Sequence, residues 1–109
     1  HTRFASLIGF EVDGIRFAHT GDQYFFIGDG PFAQRGRMQN HVYRNGATLS
    51  GYRRSGAWMA SWRPQIVLQG HQPPFHTDDA FFAQVAAWND DYEALHRRLM
   101  PLDDDAAHF

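Results

Sequence analysis

The stretch Gly9-Phe10-Glu11-Val12-Asp13-Gly14-Ile15-Arg16-Phe17-Ala18-His19-Thr20-Gly21-Asp22 decides the fold. Two runs of roughly alternating apolar and polar residues flank an Asp13-Gly14 pair. Asp-Gly between such runs is a strong short-range signal for a β-hairpin, because both residues tolerate the left-handed backbone of a tight turn. The hairpin is predicted over about residues 7–19. The second strand runs out into Thr20-Gly21-Asp22, which puts a carboxylate at its C-terminal edge. Two readings of Asp22 stand at this point: a ligand facing a site, or a turn residue.

Working outward, residues 23–27 form a short apolar run that Gly28-Asp29-Gly30-Pro31 breaks. Residues 32–38 read as a loop with Arg35 and Arg37, and residues 39–43 as a short strand. Leu49, Tyr52, Gly56 and Met59 recur at threes and fours, which predicts a helix within residues 47–62. Gly51 and Gly56 weaken it by about 1 kcal/mol each relative to alanine. Pro64 ends it. Residues 65–69 read as a buried strand, followed by Gly70-His71-Gln72-Pro73-Pro74. Thr77 is expected to cap a second helix, with Asp78 and Asp79 in its first turn. Its apolar line is Phe81, Val85, Trp88, Tyr92, Leu95 and Leu99, and Pro101 stops it. The order predicts an α/β fold, with helices on one face of a small mixed sheet that contains the hairpin.

At 109 residues the chain has the size of a single small domain. Hydrophobic residues make up 43% and aromatics 16%, with ten phenylalanines, which argues for a packed core. A formal charge of −2 leaves no basic footprint for nucleic acid. No apolar run approaches the roughly 20 residues that span a bilayer. No signal peptide is visible, and a cytoplasmic setting is expected. Without cysteine there is no disulfide framework and no thiolate metal site, so any metal must bind through His, Asp or Glu.

Three such residues stand out. His1 opens the sequence in His1-Thr2, Asp22 closes the hairpin's second strand, and His71 follows the strand at residues 65–69. Imidazole and carboxylate donors suit zinc, manganese or iron. A carboxylate can bridge two metal ions, and a metal pair can activate water and stabilise a leaving oxygen.

With these motifs the chain resembles the C-terminal half of a metallo-β-lactamase-fold metal hydrolase. In that family a Gly-His-Thr stretch precedes a hairpin ending in Thr-Gly-Asp, and a later strand ends in Gly-His before a proline-containing loop. Here the matching residues are His1-Thr2, Thr20-Gly21-Asp22 and Gly70-His71-Gln72-Pro73-Pro74. The resemblance spans about residues 2–74, plus the long helix expected after the last ligand. It implies that His1 ligates one metal, that Asp22 bridges two, and that His71 ligates the second. It also implies an αββα sandwich of which this chain is one half.

The family's His-x-His-x-Asp-His motif is absent, and no His-x-His pair occurs anywhere. That motif carries most of the ligands and the general base, and the resemblance puts it upstream of His1. A single-domain C-terminal fragment is therefore expected, inactive by itself and binding zinc weakly or not at all. Its expected partners are the N-terminal half of the same domain or a second copy, through an exposed sheet face. The alternative is an interaction or dimerisation module without catalysis. A standalone α/β binding domain is the third reading, and it expects Asp22 and His71 to lie far apart.

Other residues carry weaker signals. His1 is a native ligand or the remnant of a purification tag. His19 is a candidate to orient a ligand or face substrate, against a plain strand position. His41 is a substrate-facing candidate, against a surface histidine. Arg35, Arg37, Arg44, Arg53 and Arg54 suit either an anionic substrate group or a solvated face.

Overall fold

The computed structural model describes residues 6–22, 25–26, 38–39 and 49–99. The hairpin forms as its sequence dictates. Strand β1 (Ile8–Val12) pairs antiparallel with β2 (Ile15–Gly21), with Phe10 opposite Phe17 and Val12 opposite Ile15. Asp13 (φ 50°) and Gly14 (φ 77°) both adopt left-handed backbone, which suits the right-handed twist of the flanking strands. Strands β3 (Phe25–Phe26) and β4 (Met38–Gln39) form a separate antiparallel pair. Sequence reasoning assigns Met38 to a loop and starts the strand at residue 39; the rest of that segment lies outside the described residues.

Helix α1 (Leu49–Trp62) then crosses over to β5 (Ile66–Gln69), which lies parallel to β2. Strand β6 (Phe75–His76) pairs antiparallel with β5, and α2 (Asp79–Leu99) completes the fold. The main sheet thus has the order β1-β2-β5-β6 and is mixed, as an α/β fold with an antiparallel hairpin requires.

Both helices cover one face. Ala18 and Val67, neighbours across the parallel ladder, are fully buried with Met59 of α1 and Phe81 and Val85 of α2. Gly9 lies on this face under Trp58 and Trp62. A Cβ there would come within 2.6 Å of Trp58 Cζ2, so only glycine lets the indoles lie flat over β1. Trp62 Nε1 donates to the Phe17 carbonyl at 2.9 Å, which satisfies the buried end of the indole. Between the helices a second cluster joins Leu49, Tyr52 and Tyr92, the two rings 4.2 Å apart.

The helix ends follow local chemistry. Arg63, in left-handed backbone (φ 47°), donates its N–H to the Met59 carbonyl and turns the chain into Pro64. The cap of α2 is Asp78 rather than Thr77. Asp78 Oδ1 accepts from Phe81 N–H at 2.8 Å, three residues on, while the Thr77 hydroxyl donates to the Pro64 carbonyl. Threonine is the weaker cap former, and the neighbouring Pro64 carbonyl offers it an acceptor elsewhere.

The opposite face of the sheet has no covering element among the described residues. Alternation puts Ile8, Phe10, Val12, Ile15, Phe17, His19, Ile66, Leu68 and His76 on it. None is an Asp, Glu, Lys or Arg. Ile8 is 57% exposed and Val12 51%, far more than core residues of their type. Phe10 and Phe17 stack flat on this face with centroids 5.1 Å apart.

Candidate functional site

Parallel strands end at the same edge of a sheet, so β2 and β5 deliver their following residues to one place. In open α/β sheets this carboxyl edge is where ligands bind. Asp22 follows β2 and His71 follows β5 by two residues. Their side chains meet, with His71 Nε2 3.3 Å from Asp22 Oδ1. Asp22 is three-quarters buried while His71 is mostly exposed. The carboxylate is therefore largely shielded from solvent, and the imidazole stands mostly in it.

Three local devices place the pair. The β2–β5 register slips between His19 and Gly21, a bulge that re-aims the end of the strand toward its neighbour. Gly21 takes a left-handed φ of 53°, which a side chain would strain. Buried Thr20 donates its hydroxyl to the Leu68 carbonyl at 3.4 Å, and Gly70 N–H donates to the Gly21 carbonyl at 3.0 Å. The two strand ends are thereby clasped together. Beyond them, Gln69 Nε2 donates to the Pro73 carbonyl at 3.0 Å and closes the turn that carries His71.

The pair has a defined chemistry. With His71 protonated it is an ion pair. With His71 neutral, the Nε2 position faces an acceptor carboxylate, which favours the tautomer protonated at Nε2. With the proton displaced, an imidazole nitrogen and a carboxylate oxygen in contact are two donors of the kind first-row divalent metals take. The residues present thus fit part of a metal site. A closed zinc site takes four ligands, and no group of three or more His, Asp or Glu suited to a metal occurs among the described residues.

Of the other candidates, His19 sits on the uncovered face of β2, between Ile8 of β1 and Leu68 of β5, three residues ahead of Asp22. His1 and His41 lie outside the described residues, as do Arg35, Arg37 and Arg44. Arg53 does not present an open cation: it forms a two-pronged pair with Glu93 of α2, Nε to Oε2 at 2.9 Å and Nη2 to Oε1. Sequence reasoning overlooked the clasp made by Thr20. A threonine one residue before a Gly-Asp strand end was its only trace.

No protein-family model, curated protein or solved structure matches the chain.

Proposed function

We propose that this chain is the C-terminal part of a metallo-β-lactamase-fold, metal-dependent hydrolase. One observation carries the reading: Asp22 and His71, singled out by motif, lie 3.3 Å apart at the carboxyl edge of adjacent parallel strands. The standalone-domain reading expects them far apart. In the proposed site His1 and His71 would each serve one of two metal ions, and Asp22 would be the carboxylate the two share. Zinc fits the imidazole and carboxylate donors, with manganese or iron as substitutes. A bound metal pair supplies an activated water and Lewis acidity at a carbonyl or phosphoryl centre. The chain's own contribution is to bring the part-buried Asp22 carboxylate beside the His71 ring and to present that ring to solvent.

The uncovered face supports the same reading. A second sheet of the same domain, packed about 10 Å away, is the kind of cover that an apolar sheet face suits. The second reading, a homodimerising interaction module, draws on the same uncharged face. Sedimentation separates the two: a monomer at high concentration rejects the module. A cytoplasmic setting fits a cysteine-free chain, and no described helix is long and apolar enough to cross a membrane.

The test is zinc binding by chelator competition, with turnover of ester and phosphodiester substrates measured alongside. Weak binding that Asp22→Asn and His71→Ala each abolish, without turnover, supports the proposal. Tight stoichiometric zinc with turnover overturns the claim of a partial site. Zinc binding indifferent to both substitutions overturns the ligand assignment.

A further inference from the structure

Two glycines flank the Asp22–His71 pair, and they are needed for different reasons. Gly21 has a left-handed φ of 53° and open space around its α-carbon, so its requirement is conformational. Gly70 is not among the positive-φ residues, so its backbone conformation does not call for glycine. Its requirement is space. A Cβ on residue 70 would lie 2.4 Å from Asp22 Oδ1, and 3.2 and 3.3 Å from the Gly21 carbonyl carbon and oxygen. The first distance is one that real Cβ atoms do not show. The other two are tight but are relieved by shifts of a few tenths of an ångström.

We infer that Gly70 is a positioning residue: its missing side chain is what lets the Asp22 carboxylate reach the imidazole of His71. The oxygen that a Cβ would displace, Oδ1, is the same atom that contacts His71 Nε2. The Gly70 N–H to Gly21 carbonyl bond fixes the two strand ends against each other, so the backbone offers little retreat. The Asp22 side chain does: it can rotate about χ1 and χ2 and leave. Adding one methyl group at residue 70 therefore separates the pair while the sheet survives. The geometric claim stands without any metal; its consequence for metal binding rests on the hydrolase reading above.

The experiment uses the whole chain, metal-free, and reads the ring nitrogens of His71 by ¹⁵N NMR in the parent, Gly70→Ala and Asp22→Ala proteins; alanine leaves no acceptor, whereas an asparagine oxygen would still accept from Nε2. With the carboxylate displaced, the Gly70→Ala spectrum moves to that of Asp22→Ala, with the tautomer preference for Nε2–H lost in both. A Gly70→Ala spectrum like the parent's, while Asp22→Ala differs, overturns the inference. So does an Asp22→Ala spectrum like the parent's, since the pair then has no influence to transmit. Thermal melts close the remaining gap. Gly70→Ala is made in the parent and in an Asp22→Ala background, where the obstructing oxygen is gone. Its cost disappears in the second background if it acts through the carboxylate. An equal loss in both, including failure to fold in both, assigns the role to the Gly21 backbone and overturns the inference. Where the parent binds zinc, Gly70→Ala lowers the affinity about 10- to 100-fold, the usual effect of losing a group that orients a ligand. A parent that takes no zinc fits a half-site, and the NMR result and the melts then judge Gly70.

Discussion

Arg53 of α1 and Glu93 of α2 are joined by two parallel contacts, and Arg97, one turn further along α2, adds a third at 2.9 Å to Oε1. The Arg53 hydrogen bond, then the Arg97 hydrogen bond, hold the Glu93 carboxyl below its ordinary range, with burial opposing them. A carboxylate depressed in the folded state stabilises above its unfolded value of about 4.3 and loses that contribution as pH falls through the folded value. The difference in melting temperature between the parent and Glu93→Gln is therefore present at pH 7. It shrinks below about pH 4.3 and vanishes once the folded carboxyl is protonated. Because Arg53 is half exposed, the effect at neutral pH is about 1 kcal/mol or less. A difference that is constant from pH 7 to 3 contradicts the assignment.

Gly56 of α1 is where the two helices approach. A Cβ there would sit 1.8 Å from Asn89 Nδ2 of α2. Alanine favours helix over glycine by about 1 kcal/mol, yet Gly56→Ala is expected to destabilise by about 1–3 kcal/mol through overpacking. Asn89 Oδ1 is buried and has no hydrogen-bond partner among the described residues, so Asn89 contributes little to hold its place. Combining Gly56→Ala with Asn89→Ala should restore stability to the parent level or above. Urea melts of the two single variants and the double check this.

Gly9 makes the same kind of demand on the sheet. Gly9→Ala drives a methyl group against Trp58 and Trp62, which are stacked 6.1 Å apart. These are rigid rings, not a mobile side-chain end. A loss of about 1–3 kcal/mol is expected, with an altered near-ultraviolet dichroism of the indoles. An unchanged spectrum and melt contradict the close seating of α1 on β1.

The uncovered face gives a fourth prediction. Ile8→Thr with Val12→Thr keeps β-branched side chains on β1 while removing apolar surface that is already half exposed. The double variant should bind less of a hydrophobic dye and stay soluble at higher concentration. Its melting temperature should fall little, in contrast to Met59→Ala on the covered face, which costs about 2–5 kcal/mol.

Much of this was legible in local sequence. Asp13-Gly14 announced the hairpin because the turn's demands are met by those two residues alone. The spacing of Leu49, Tyr52 and Met59, and the line Phe81, Val85, Trp88, Tyr92 and Leu95, announced the helices; Phe81, Val85 and Tyr92 are buried and Trp88 is half-buried, whereas Leu95 is exposed. Strand β6 went unannounced: two residues after two prolines carry no period. Gly56 read as a weak helix position, since its reason lies on Asn89 in the other helix. Asp78 was mistaken for a first-turn residue because Thr77 and Asp78 both suit a cap, and the choice depends on Pro64, distant in sequence. Asp22 and His71 were marked by strand-end motifs. Their separation, and the glycine that permits it, depend on the β2–β5 register, which no local pattern encodes.

The parallel pairing of β2 with β5 also orders events in time. The β1–β2 hairpin needs only a two-residue turn, and such hairpins form in about 1–10 μs. The Asp22–His71 contact must wait until α1 has crossed the sheet and β5 has docked, so it is expected to form later than the hairpin. Interactions absent from the folding transition state act on the unfolding rate. An ion held by the pair is thus expected to leave the refolding rate of the chain unchanged and to slow its unfolding. In stopped-flow measurements zinc would then shift only the unfolding arm: a loaded site would act as a latch on a finished structure, with no part in guiding the chain toward it.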